Sequence, residues 1–367
     1  MHRATAETRR PIATRESHRY PAHQRDIPRP FAPGKSTALY DRPEREGGPA
    51  TWSEHVFDTP DRITSRRHGR PYPGDHLGKE ERVQLIVQFG YDGARFYGLA
   101  PQADLPTAAA ALRKRLEDAA GGLRACGLAF SARTDRGVHA EQNIATCYFI
   151  EEVFQNETAL QTLLQEVRLD RGDGLREVRA RRVPWNVHAR AVSVGKHYRY
   201  RIAGGHDPDL IERVSQAGRR KPGVPTHISE DLLDIWQVHP PLDVARMQQA
   251  AQHLVGTHDF SSFRGGPVDN RPPVRTVTDI FITDFEDEIV IDVFGQGFLR
   301  KMVRIITGTL AEVGVGMRHP DSMPRVLAYR NRRAAGITAP ARGLTLMCVE
   351  TDELWFDGDD DEFEDLD

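Results

Sequence analysis

Sustained apolar patterning in this 367-residue chain is confined to residues 83–351, and the stretches outside that window are charged or rich in proline. Residues 1–80 hold 10 of the 24 prolines, interleaved with Arg, Ser, His and Gly. With no apolar period to bury, they read as a disordered extension. Residues 352–367 carry ten acids and no base, and read as an acidic tail. A net charge of −3 therefore hides an asymmetry. Residues 1–82 carry 16 Lys and Arg against 12 Asp and Glu, and residues 83–350 carry 34 against 31. The patterned part is mildly basic, so the overall balance does not exclude a nucleic-acid partner.

No apolar run approaches the ~20 residues that cross a bilayer, and the N-terminal stretch has no apolar core of a secretory signal. Cys126, Cys147 and Cys348 are odd in number and lack CxxC spacing. That usage points to a reducing compartment, with cytoplasm as the expectation, and to neither a zinc site nor a disulfide frame.

Inside the window, VQLIVQFGY (83–91), LAF (128–130), IATCYFI (144–150), REVRARRV (176–183) and SVGKHYRYRIA (193–203) read as strands. PTAAAALRKRLEDAAGG (106–122) and ETALQTLLQEV (157–167) read as helices. The second half adds a helix over 242–256, with Asp243 as N-cap, and a strand pair over 273–285 and 288–298. An amphipathic helix follows over 299–316, with Leu299, Met302, Val303, Ile306, Leu310 and Val313 on one face, then a last strand over 343–351. The mixture predicts two α+β units around an antiparallel sheet. Expected boundaries are 1–82 for the extension, 83–205 and 242–351 for the two halves, 206–241 for a connection and 352–367 for the tail.

The chemistry-bearing stretch is SARTDRGVHA (131–140), which falls between two strands. Asp135 lies between Arg133 and Arg136, with Gly137 next. One reading is ordinary turn chemistry with a solvated ion pair. The other is an exposed nucleophile whose ionised form the adjacent arginines favour. In GKHYRYRI (195–202), Lys196, Tyr198 and Tyr200 share one face, and His197, Arg199 and Arg201 the other. Aromatic rings alternating with bases suit nucleic-acid binding, yet tyrosines in a core and arginines in water would give the same pattern. Arg304 falls off the apolar stripe of its helix, free to meet a carboxylate, a phosphate or solvent. No dinucleotide or P-loop glycine pattern, HExxH or GxSxG is present.

Six stretches match one family in order. LIVQFGYDGARFYGLAPQ resembles an opening strand and YDG-x-x-F-x-G turn, and SARTDRGVHA resembles a GRTDxGVHA motif. VHARAVSVGKHYRYRI resembles an HAR segment leading into a K-x-Y-x-Y strand. FSSFRGGPVDNRPPVRTV, FGQGFLRKMVRIITGTL and APARGLTL resemble the remaining blocks. Over residues 83–350 the chain resembles the TruA family of tRNA pseudouridine synthases. That resemblance implies two RRM/ferredoxin-like halves sharing a central antiparallel sheet, a homodimer, tRNA as partner and no cofactor or metal. It implies conversion of uridine to pseudouridine in the anticodon stem-loop after base flipping. Asp135 would be the nucleophile, attacking either the ribose anomeric carbon or carbon 6 of the ring. Arg304 would orient it, and Tyr198 would pack on the uracil and assist proton transfer at carbon 5. Arg133 would fill the vacated space in the stem, while His188, Arg190 and Arg264 would contact the RNA. The basic runs RARR (179–182) and RRKPG (219–223) are further phosphate candidates. An inactive RNA-binding protein on the same fold is the alternative. The chain departs from the family at Leu99 and Ala100, where Trp and Gln are usual, at Ala132 for Gly, at Arg136 for a small residue, and at Val187 and Ala191 for aromatics.

Overall fold

The computed structural model describes residues 82–150, 157–185, 187–203, 235–238, 241–266, 272–285, 288–351 and 356. All lie in the second of the two compact units into which the chain divides, Ala50–Asp367. The extension short of Arg82, the tail beyond Thr351 apart from Phe356, and most of the 206–241 connection, with its RRKPG run, lie outside the described residues.

Among the described residues ten strands form one sheet: β1 (Arg82–Tyr91), β2 (Cys126–Phe130), β3 (His139–Ile150), β4 (Leu175–Val183), β5 (Ser193–Ala203), β6 (Trp236–Gln237), β7 (Gly256–Asp259), β8 (Val274–Asp284), β9 (Ile289–Gly295) and β10 (Leu344–Thr351). The five α-helices among the described residues are α1 (Ala108–Ala119), α2 (Glu157–Glu166), α3 (Val244–Gln252), α4 (Met302–Gly314) and α5 (Met323–Tyr329). The main path of the sheet is β4-β1-β3-β10-β5-β9-β8-β7, with β2 on β3 and β6 on β5.

This order contains the same pattern twice. The sequence β1-α1-β2-β3-α2-β4 gives spatial order β4-β1-β3-β2, and β5-α3-β8-β9-α4-β10 gives β10-β5-β9-β8. Each is a βαββαβ unit with its first strand between its last and its third. Strand β5, grouped with the first half by sequence reading, therefore opens the second unit. The expected all-antiparallel sheet is also corrected. β10 runs parallel to β3 through Thr345↔His139 and Leu346↔Ala140, and β6 runs parallel to β5, so the sheet is mixed. Direction at the junction is set by how two units abut, which strand alternation within each does not encode.

Local chemistry starts and stops the elements. Thr107 caps α1 by accepting from the Ala110 amide, and Asp243 caps α3 by accepting from Arg246. Gly121 and Gly122 turn the chain out of α1. Strand β1 is buried along nearly its whole length, as its near-continuous apolar run requires of a central strand.

Helix α4 differs most from expectation. Rather than an amphipathic helix from 299, it begins at Met302 after Lys301 in a left-handed conformation, and it is buried on almost every side, including Thr307, Gly308 and Thr309. Residues 336–339 cover the side that the apolar stripe leaves. The Gly336 amide donates to Thr309 Oγ1 at 2.9 Å, and the Ala339 amide to the Arg304 carbonyl at 3.0 Å. A Cβ on Gly308 would sit 2.1 Å from the Ile337 carbonyl oxygen. Alanine gains about 1 kcal/mol over glycine in helix propensity, but overpacking against main chain costs ~1–3 kcal/mol or more. Gly308→Ala should therefore lower Tm by several degrees in calorimetry. An unchanged or raised Tm would contradict this packing.

Candidate active site

The SARTDRGVHA stretch is a loop between β2 and β3, tied down at each step. Buried Asn143 grips its start: the side-chain oxygen accepts from the Ala132 amide at 3.3 Å, and the side-chain nitrogen donates to the Ala132 carbonyl at 3.1 Å. Ala132 does not take a positive φ, so a glycine is not required there. Tyr91 OH and Thr134 Oγ1 are 2.8 Å apart. The Thr134 carbonyl accepts from the Leu99 amide at 3.3 Å. Leu99, at the family's tryptophan position, is fully buried. The Val138 amide then donates to the Asp135 carbonyl at 3.2 Å, with φ +78° at Gly137, which makes Asp135–Val138 a tight turn with glycine at its left-handed position. That turn raises the Asp135 side chain into a cleft.

Opposite it stands Arg304, in the first turn of α4. Its Nη1 donates to Asp135 Oδ2 at 2.9 Å, and its Nε to the Ala339 carbonyl at 2.8 Å. The two side chains are 25% (Asp135) and 13% (Arg304) exposed, so the pair is partly sheltered but open on one side. The guanidinium that meets the carboxylate thus comes from 169 residues away. The sequence neighbours do otherwise: Arg136 lies over the Tyr97 ring, 4.0 Å from its centroid, and Arg133 is exposed along the cleft wall.

The floor comes from the sheet junction. Leu346 of β10 is in register with Ala140 of β3 on one side and Tyr198 of β5 on the other. Tyr198 is 7% exposed, and its ring meets Phe298 edge-on at 5.3 Å. Burial, helped by the negative charge of Asp135, raises its phenol far above the ordinary value, so the hydroxyl keeps its proton through the neutral range. Burial also pushes the Tyr91 phenol up to about 12. On the same face of β5, Lys196 donates to Ser193 Oγ at 3.0 Å, and burial pushes its ammonium down to about 8.

The cleft has a volume of about 910 Å³. Among the described residues it is lined by nine bases, Arg133, Arg136, Arg190, Lys196, Arg264, Arg275, Arg300, Lys301 and Arg304, and by one carboxylate, Asp135. Such a surface suits a polyanion. Six of the seven sequence candidates therefore meet here: Asp135, Tyr198, Arg304, Arg133, Arg190 and Arg264. His188 does not line the cleft; its Nδ1 accepts from the Arg190 amide at 3.2 Å, and burial, with the nearby Arg190 charge, lowers its pKa.

The opposite face of β5 corrects the idea of cations aimed at phosphates. Arg199 and His197 both bond Asp292, which is fully buried on β9, and Arg201 bonds Glu288 at 2.6 Å. These charges are paired inside the protein. Tyr200 is likewise internal, donating to the Pro340 carbonyl. Sequence reading assigned no role to Asn143, Tyr91, Tyr97, Phe298 or Lys196. Only for Lys196 was a signal available, since strand alternation places it on the Tyr198 face.

Comparison with known proteins converges on one group. A family model described as tRNA pseudouridine synthase matches residues 250–352. The tRNA pseudouridine synthase A of Geotalea uraniireducens is 35% identical over 268 residues, covering 73% of this chain and 98% of that protein. The proteins of the same name from Syntrophotalea carbinolica and Halalkalibacterium halodurans are 36% and 34% identical over 269 and 265 residues. These matches cover 73% and 72% of this chain, and 95% and 90% of the two relatives. An aspartate on a glycine turn, paired with a distant arginine in a basic cleft, is thus carried by a chain that belongs to the TruA family of tRNA pseudouridine synthases, which are isomerases.

Proposed function

We propose that this chain converts uridine to pseudouridine in the anticodon stem-loop of tRNA, with Asp135 as nucleophile. The observation that carries the reading is the Arg304–Asp135 pair, set in a cleft where that aspartate is the only lining carboxylate among the described residues. Arg304 is itself fixed to the Ala339 main chain, its Nε donating to the carbonyl and its own carbonyl accepting from the amide, so it holds the carboxylate rather than following it. A preset carboxylate avoids the cost of ordering it during reaction.

In this reading the target nucleotide leaves its stem, at a cost of a few kcal/mol, and enters the cleft against Tyr198. Asp135 attacks either the ribose anomeric carbon or carbon 6 of the ring. The bond from N1 to the ribose breaks, the uracil turns, carbon 5 bonds to the ribose, and the bond to Asp135 breaks again, which returns the free carboxylate. Carbon 5 gives up its proton and N1 ends protonated, so the reaction balances without an oxidant or reductant. Tyr198, braced edge-on by Phe298, offers a flat apolar ring to the uracil and a protonated hydroxyl beside carbon 5. Arg133 takes the space left in the stem, and Arg190 and Arg264 contact phosphates. The protein works as a homodimer in the cytoplasm. The inactive RNA-binding alternative is disfavoured because Asp135, Tyr198 and Arg304 are assembled together, whereas loss of turnover leaves no reason to keep a carboxylate in an RNA cleft.

Three outcomes test this. Asp135→Ala should form no pseudouridine in unmodified tRNA while keeping most of its tRNA affinity; equal product from both proteins removes Asp135 from its role. Tyr198→Phe keeps the ring and loses the hydroxyl. It should bind tRNA within about threefold of wild type and turn over ~10²-fold or more slowly, the size typical of a lost proton-transfer group. The third concerns Lys196, whose ammonium is charged below about pH 8 and neutral above it. Affinity for tRNA should therefore fall as pH rises from 7 to 9, and Lys196→Gln should flatten that profile. An identical profile in the variant would exclude Lys196 from RNA contact.

A further inference from the structure

We propose that Arg136, placed over the Tyr97 ring, is a bidentate clamp for an RNA phosphate at the cleft mouth, directly beside the nucleophile. The inference rests on the reading of the cleft as an RNA site and assigns a residue at which the chain departs from its family.

Three observations carry it. First, the main chain sets the two residues side by side. The turn after β1 and the Asp135 loop are joined by the Leu99 amide to the Thr134 carbonyl, and Gly98 takes φ +95° between them. A Cβ on Gly98 would lie 3.1 Å from both the Arg136 nitrogen and the Thr134 oxygen, so the two loops are in close contact. Tyr97 precedes that glycine and Arg136 follows Asp135, and the seam brings the ring under the guanidinium at 4.0 Å.

Second, Arg136 is exposed and has no carboxylate partner among the described residues. The nearest acid in sequence, Asp135, is taken by Arg304. A cation left without a counter-ion beside the reacting group repels other cations and attracts an anion.

Third, an exposed guanidinium over a ring has N–H groups to offer an anion. A guanidinium lying on an aromatic face keeps its N–H groups pointing outward in its own plane, where a phosphate can accept two parallel bonds. The ring removes side-chain freedom before RNA arrives, so less is lost on binding. A lysine would carry the charge but neither the plane nor the fork. Because the residue adjoins Asp135, the phosphate it holds is one flanking the flipped nucleotide. The clamp thus sets the depth at which that nucleotide enters.

The test is equilibrium binding of the full-length protein to an unmodified tRNA transcript over a series of salt concentrations, with pseudouridine formation followed separately. For Arg136→Ala we expect a roughly tenfold weaker Kd, and a salt slope smaller by about 0.7–0.9, the value of one phosphate contact. The loss of turnover should fall mainly on KM. Arg136→Lys should restore the slope but recover only part of the affinity. Tyr97→Leu should weaken binding several-fold with little change in slope, and should add little in an Arg136→Ala background, since the two act as one unit. A merely structural Arg136 would leave the slope at its wild-type value, and that result overturns the proposal. So would full additivity of the two substitutions. A fall in Tm for Arg136→Ala does not substitute for either readout, because Arg136→Lys and Tyr97→Leu still report slope and affinity. If wild type forms no pseudouridine, the proposed reaction fails, while the binding slopes still decide the clamp.

Discussion

An ion pair between Asp135 and Arg304, 2.9 Å long and spanning two βαββαβ units, fixes where everything else in the cleft must be. The aspartate arrives on a turn at the head of β3, in the first unit. The arginine arrives on the first turn of α4, in the second. Neither unit holds the pair alone, so the cleft is a property of their junction. Because one side of the pair is open to solvent, its worth to stability is modest. What it supplies is geometry: one oxygen of the carboxylate is engaged, and the other stays available.

The junction itself is economical in parts. Ala140, Leu346 and Tyr198 form a row across three strands, which places the aromatic ring a fixed distance along the sheet from the aspartate turn. The polar face of β5 is neutralised on the far side by Asp292 and Glu288, so the strand presents Lys196 and Tyr198 to the cleft while its three other bases are absorbed in the fold. Period-two alternation separates two electrostatic jobs within seven residues.

Much of this was legible in the sequence. Strand alternation separated Lys196 and Tyr198 from His197 and Arg199, and Asp135-Arg136-Gly137 announced a turn through its glycine. The N-cap at Asp243 likewise follows from local chemistry. What escaped depended on distant contacts. The apolar stripe of α4 suggested one wet side, yet residues 336–339 close over it, and no helical wheel encodes a segment that returns twenty-odd residues later. The arginines flanking Asp135 looked like its charge partners because adjacency in the chain was the only measure of distance. In three dimensions Arg136 turns to Tyr97 and the partner is Arg304. Parallel pairing of β3 with β10 was hidden for the same reason: it is decided by how two units meet.

The position of β10 has a consequence for biogenesis. Residues 344–351 are among the last of the folded window to leave the ribosome, yet they occupy the middle of the sheet, between β3 and β5. Until they emerge, both neighbouring strands carry a bare hydrogen-bonding edge, and the two units have no shared ladder between them. A nascent chain that stops short can complete its first unit but not the floor beneath Asp135. Full-length synthesis is thus a physical precondition for assembling the cleft, and prematurely terminated chains are left with two sticky strands facing a gap.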